Sequence, residues 1–139
     1  MIAYVESSVI LRFVLGQPGA LRELRSFEAG ATSALTDVEC LRTLDRLRIA
    51  EGVAELQIAE RRAAVYDVLG RLAIIDVTRP VLDRASQPLP VVLGTLDALH
   101  LASALAWREH AEREVVLATH DARLGAAARA LGLRTVGTS

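Results

Sequence analysis

The chain contains no lysine: all 16 of its basic residues are arginine. That absence removes whole classes of chemistry, because P-loop phosphate binding, Schiff-base formation and serine–lysine catalysis each need an amine on a side chain. A two-component receiver domain, close in size and topology, also normally uses one. The single cysteine, Cys40, closes no intrachain disulfide, which agrees with a cytoplasmic setting. No apolar run reaches the roughly 20 residues of a membrane-spanning helix. The opening MIAYVESSVI lacks the basic stretch of a signal peptide and reads as a strand of the fold. Net charge is also nearly absent, at −1 from 16 basic and 17 acidic residues. That excludes binding nucleic acid by bulk positive charge alone and leaves room for a local basic rim around an acidic centre.

What the chain does have is apolar mass, 52% of its 139 residues, with a positive mean hydropathy. This suits one domain, residues 1–139, with a well-filled core. The apolar period changes repeatedly. Short β-branched runs mark strands at Ile2 to Val5, Leu72 to Val77, Glu114 to Thr119 and Leu133 to Val136, with a weaker one at Ala31 to Ser33. Between them, three- and four-residue spacing predicts helices over 8–15, 19–28, 34–49, 54–70, 79–86, 95–109 and 122–131. Gly16-Gln17-Pro18-Gly19 and Pro88-Leu89-Pro90 are breakers, and Gly132 stands where a helix-ending glycine belongs. Strands alternating with helices imply a mostly parallel sheet covered on both faces. Such a sheet binds its ligands beyond the carboxyl ends of the strands, near the reversal of strand order.

Carboxylates fall at those places. Glu6 ends the first strand, and a buried unpaired carboxylate either shifts its pKa or destabilises the fold. Asp121 follows the strand EVVLAT, although it also suits capping the next helix. Asp97 lies in the first turn of a helix with Thr95 as the expected N-cap, where it equally complements the helix dipole. Glu39 lies early in the helix that begins near Ser33 or Ala34, within reach of Arg42 and Arg46 as an exposed partner. Each has this bland alternative alone; the four together point to a site.

The motifs carrying them resemble the PIN domain, and within it the VapC-type toxins of toxin–antitoxin pairs. MIAYVESSVILR resembles the family's opening strand and turn, SALTDVECLRTL its glutamate-bearing helix, GTLDALHLASAL its aspartate-bearing helix, and LATHDARLGAAARALGL its late strand and acidic turn. The resemblance covers essentially the whole chain. It implies a three-layer α/β/α sandwich around a mostly parallel sheet of four to five strands. It makes Glu39, Asp97 and Asp121 members of a cluster holding divalent metal, with Glu6 where the family nearly always has aspartate. Thr119 resembles the small hydroxyl residue that precedes the last aspartate and supports the site.

The implied activity is metal-dependent endoribonuclease chemistry, with water as nucleophile and 5′-phosphate and 3′-hydroxyl ends as products. Mg²⁺, with Mn²⁺ as substitute, takes oxygen ligands at about 2.0–2.1 Å and keeps several waters. Glu6 and Asp97 are the expected principal ligands, with Glu39 and Asp121 binding metal or positioning water. Four close carboxylates repel one another unless a cation or proton compensates. Ser7 or Ser8 is expected either to hydrogen-bond a phosphate or ligand or to cap the following helix. The extra methylene of Glu6 opens a second reading, a catalytically weakened or silent scaffold that binds RNA or antitoxin, since misplacement by roughly 1 Å costs about 10²-fold in rate. A metal phosphatase of the haloacid dehalogenase type is disfavoured by VESSV, which lacks the Asp-x-Asp pattern and the lysine. The implied partners are an RNA substrate, a VapB-like antitoxin with a hydrophobic segment for a groove between helices, and a second copy of the chain.

Other residues receive structural roles. His100 is expected to make a local hydrogen bond, His120 to be an exposed turn residue, and Cys40 to be a small buried hydrophobe. Trp107 and Tyr66 read as core or interface, and Arg12, Arg42 and Arg46 as a possible phosphate-binding rim.

Overall fold

The structure, a computed structural model, describes residues 1–138 except the side chain of Glu23. Its centre is β1 (Ile2–Val5), in which all four residues are buried. Alternate side chains of a strand point to opposite faces, and here both faces are covered. Ile2 and Tyr4 enter a core shared with Leu101, Leu105, Leu117, Leu124 and Leu133. Ala3 and Val5 enter a second core with Val9, Ile10, Cys40, Leu44 and Val65.

The remaining strands are β2 (Gly30–Ser33), β3 (Ala73–Ile75), β4 (Val115–Ala118) and β5 (Arg134–Val136). All pair in parallel, in the order β3-β2-β1-β4-β5. The run Ala31 to Ser33, weak by pattern, is a full strand beside β1. A strand flanked on both sides needs little propensity of its own once tertiary pairing supports it. Helices α1 (Ser7–Val14), α2 (Thr36–Glu51) and α3 (Glu55–Leu69) lie on the Ala3/Val5 side. Helices α5 (Thr95–His110) and α6 (Ala122–Ala130) cover the other face, and α4 (Arg79–Ala85) packs on α5. The expected three-layer sandwich is the observed one, with five strands and every pairing parallel.

Two local expectations fail. In place of a helix over 19–28 there is only a 3₁₀ turn, Arg22–Ser26. Leu21, Leu24 and Phe27 recur every third residue and pack partly against the second core. That period fits three residues per turn better than 3.6, and Gly19 enters the segment at φ +79°. Thr95 does not cap α5: Gly94 holds the N-cap position and no side chain caps the helix. Tyr66 is 54% exposed and so is not core, whereas Trp107 packs against the first core and Cys40 is fully buried.

Leu117, fully buried in β4, tests whether the sheet's first core carries the fold. Leu117→Ala is expected to lower unfolding free energy by about 3 kcal/mol, from lost burial plus the cavity left behind. Urea denaturation should show a lower midpoint at unchanged slope.

Candidate functional site

Strand order reverses between β1 and β4, with the chain winding toward β3 on one side and β5 on the other. Their carboxyl ends therefore open the crevice in which such sheets bind ligands. Glu6 stands there. Its backbone N–H still donates to Ala118 of β4 at 3.0 Å, its side chain is the N-cap of α1, and it is 4% exposed.

A carboxylate this buried needs donors, and four converge on it. Ser7 Oγ donates to Oε1 at 2.9 Å. Oε2 receives the Ser8 N–H at 3.2 Å, the Ser8 hydroxyl, and Thr119 Oγ1 at 2.9 Å from across the sheet. The two serines after Glu6 thus do not cap α1 through their own side chains; Glu6 caps it, and they serve Glu6.

Glu39 is brought in by α2. The start of that helix is fixed by buried hydroxyls: Thr32 Oγ1 donates to the Val5 carbonyl at 2.6 Å and pairs with Thr36 Oγ1 at 2.7 Å. Neither Arg42 nor Arg46 meets Glu39, as they bond Asp45 and Thr43 instead. Its partners are Ser7 Oγ at 3.2 Å and His100 Nε2, which donates at 2.5 Å. His100, fully buried on α5, has the Tyr4 hydroxyl at 2.8 Å on its other ring nitrogen. The expected structural hydrogen bond of His100 is present, and its recipient is a member of the acidic set. Burial lowers the proton affinity of this imidazole, but the hydrogen bond and charge of Glu39, with Glu6 and Asp97, outweigh it and hold its pKa above the usual value. Burial first, then Glu39 and Glu6, push the neighbouring Cys40 thiol up to about 12, so it stays a neutral thiol.

Asp121 caps α6, accepting the Leu124 N–H at 3.0 Å, while its own N–H donates to Thr119 Oγ1 at 3.0 Å. The capping alternative is therefore realised, and it leaves the carboxylate beside the others. Asp97 reports that proximity. It is half-buried, no protein hydrogen bond to its carboxylate is found among the described residues, and its pKa rises to about 6. Burial is the main cause, followed by the charges of Asp121 and Glu6, with Glu39 adding and His100 opposing. The other three carboxylates predicted from sequence thus all act on Asp97. Among the described residues, however, no three His, Cys, Asp or Glu groups are gathered closely enough to grip an ion as they stand.

His120 departs from expectation. It is partly buried rather than exposed, with Nδ1 held by the Gly137 carbonyl at 3.1 Å and Nε2 buried without a partner among the described residues. Gly137 makes this possible. Its φ is +100°, and a Cβ there would lie 2.3 Å from the Thr119 carbonyl, so the turn after β4 and the end of β5 approach only through a glycine.

Against that geometry, the family model of the PIN domain matches residues 3–138. The chain belongs to the PIN-domain family. Among its relatives are Ribonuclease VapC46 of Mycobacterium tuberculosis, 35% identical over 139 residues and covering 98% of this chain and 97% of the relative. Ribonuclease VapC47 of the same species is 30% identical, covering 95% and 93%. This PIN domain also shares its fold with VapBC2 of Rickettsia felis bound to a promoter DNA fragment (TM-score 0.70, 15% identity, 100% and 99% covered). FitAcB of Neisseria gonorrhoeae is similar (TM-score 0.68, 19% identity, 97% and 96% covered).

Concavity alone does not locate the site of this PIN domain. An apolar hollow of about 450 Å³, lined by residues such as Val5, Ile10, Phe13, Leu24, Phe27 and Leu72, lies between α1, α3 and the 3₁₀ turn and includes none of the four carboxylates. Thr32, Thr36 and Tyr4 support the site without having been marked as part of it, whereas Ser8, expected to bond a phosphate or ligand or to cap α1, bonds Glu6. Short hydroxyl side chains near strand ends were the available signal for the two threonines, and for Tyr4 there was none.

The raised pKa of Asp97, from burial first and neighbouring charge second, has a measurable sign. A carboxyl whose folded pKa of about 6 exceeds its reference of 3.8 binds its proton more tightly when folded. It therefore costs stability progressively as pH rises through that interval, and in full above it. In chelator-containing buffer, Asp97→Asn is expected to raise the melting temperature at pH 8. The gain should shrink through pH 6 and vanish near pH 4; a pH-independent gain would show that ionisation is not its source.

Proposed function

We propose that this chain is a VapC-type toxin that hydrolyses RNA phosphodiester bonds at the Glu6–Glu39–Asp97–Asp121 site with Mg²⁺, or Mn²⁺ in its place. The observation that carries the reading is Asp97: half-buried, without a protein donor, and set against Asp121, Glu6 and Glu39. A divalent cation is the natural relief of such crowding, and carboxylate oxygens are the donor type a hard cation takes. Asp97 and Glu6 Oε1 retain the acceptor capacity to hold it, with Asp121 and Glu39 adjoining. When bound, such an ion polarises a phosphoryl oxygen and lowers the pKa of a bound water.

The chain's own residues supply the rest. Glu39, oriented by His100 and Ser7, keeps a carboxylate in place to accept a proton from water or to orient it. Thr119 fixes Glu6 against the Asp121 turn. Among the arginines expected to line a phosphate rim, Arg42 is committed to Asp45 and Arg46 to Thr43. Among the described residues, Arg12 has no such partner. The relatives' names, both ribonucleases, support the substrate class. A toxin–antitoxin complex from Klebsiella pneumoniae that shares the fold (TM-score 0.66, 17% identity, 99% and 95% covered) supports a small antitoxin as partner. A second copy of the chain is supported by exposed apolar side chains, among them Leu56, Val92 and Leu96. Action in the cytoplasm is part of this proposal; separately, no described helix is long and apolar enough to cross a membrane.

The purified chain is expected to cleave RNA in Mg²⁺ or Mn²⁺ and to stop on addition of EDTA. Asp97→Ala should lose roughly 10²-fold or more, the scale on which a charge-stabilising group acts. Inactivity of the folded protein across several RNAs would defeat the proposal.

The donors enclosing Glu6 also favour a second reading, a scaffold that binds RNA or antitoxin without efficient cleavage, because they satisfy the carboxylate without an ion. Glu6→Asp separates the two. Comparable rates in the two proteins support the nuclease, whereas a large gain on shortening the side chain supports the silent scaffold.

A further inference from the structure

The hydrogen bonds at position 6 divide unequally between its two oxygens. Oε2 takes three donors, the Ser8 N–H, the Ser8 hydroxyl and the Thr119 hydroxyl, whereas Oε1 takes only the Ser7 hydroxyl, which is shared with Glu39. A carboxylate offers about four acceptor positions, so Oε2 is saturated and Oε1 is not. Ser8 Oγ, while donating to Glu6, also accepts the backbone N–H of His120 at 3.0 Å. Thr119 Oγ1 makes the matching connection, donating to Glu6 and accepting the N–H of Asp121. Two hydroxyls thus bridge one carboxylate oxygen to consecutive amides of the turn after β4.

We infer that Ser8 is the positioning residue through which a glutamate serves at position 6. It anchors Oε2 to the Asp121 turn and leaves Oε1, which takes only the hydroxyl shared with Glu39, with acceptor capacity for an ion. This rests on the reading of the four carboxylates as an ion-binding site. The physical need is specific to glutamate. Its longer side chain has an additional rotatable bond to immobilise, and a carboxylate that is only N-capping would be held by the Ser8 amide alone. The Ser8 hydroxyl adds a second hold and joins the two turns. An aspartate starting from the same backbone falls short by one methylene and does not reach all three donors of Oε2, so the contribution of Ser8 should depend on which acid occupies position 6.

A double-mutant cycle measures that dependence. Wild type, Ser8→Ala, Glu6→Asp and the double variant would be compared for RNA cleavage, for Mn²⁺ affinity by calorimetry, and for melting temperature in EDTA. Ser8→Ala is expected to lower kcat and to weaken Mn²⁺ binding by roughly tenfold, the usual scale for a group that orients a ligand. KM for RNA should be unchanged. In the Glu6→Asp background the same substitution should change either quantity less than about twofold. Ser8→Thr, which keeps the hydroxyl, should restore Mn²⁺ affinity and kcat. Equal losses from Ser8→Ala in the two backgrounds, or no rescue by threonine, would overturn the role assigned to Ser8. If wild type neither cleaves RNA nor binds Mn²⁺, the reading of the site as a metal nuclease fails instead. The melting temperatures in EDTA then still decide whether Ser8 and Glu6 are coupled, because additive losses there would overturn the clasp by themselves.

Discussion

Like charge held together against its own repulsion is the constraint on which this molecule is arranged. Four carboxylates arrive from four places in the chain, and each is held by something other than its neighbours. Glu6 is held by hydroxyls and an amide, Glu39 by His100 and Ser7, and Asp121 by the helix it caps. Asp97 alone has only the fold to hold it, and its raised proton affinity records the result. The surrounding polar groups are buried because carboxylates in a crevice demand donors, and those donors must in turn be positioned by strands and helix starts.

The layers follow from the sequence more directly than the site does. Ile2 to Val5 had to be a central strand, since no face of it is polar, and the alternation of strands and helices left few arrangements besides a covered parallel sheet. Residues 19–28 were misjudged because an apolar repeat of three fits a 3₁₀ turn as well as a short stretch of helix. Thr95 was misjudged as a cap because cap identity depends on one residue of register. The four acids were legible by their places at strand ends and in first turns, with the family resemblance joining them. Thr119, Ser7, Ser8 and His100 were legible as supporting residues, but which carboxylate each would meet was not. The contact of Tyr4 with His100 spans 96 residues and that of Thr119 with Glu6 spans 113, and no local pattern encodes either. His120 was read as exposed because turns usually are, whereas its burial depends on a glycine 17 residues later.

Glutamate at position 6 shows how a chemically conservative exchange becomes a structural question. Glutamate is not among the preferred N-cap residues, yet here it caps α1 and reaches across to the turn after β4. Its length is accommodated by serines and a threonine at the right positions, not by movement of the strand, which remains paired with β4 along its whole length. The side chains surrounding position 6 therefore bear on what that acid can do.

Two of the acids, Glu6 and Asp121, follow closely on β1 and β4, the strands buried along their whole length, and that has a thermodynamic consequence. Loops with crowded charge commonly relax by fraying, at small free energy. Here the frame opens only with the domain as a whole, so electrostatic tension at the crevice mouth is shared by every buried contact beneath it. Occupancy by a cation, or uptake of a proton, should accordingly be felt as resistance of the entire domain to heat and denaturant.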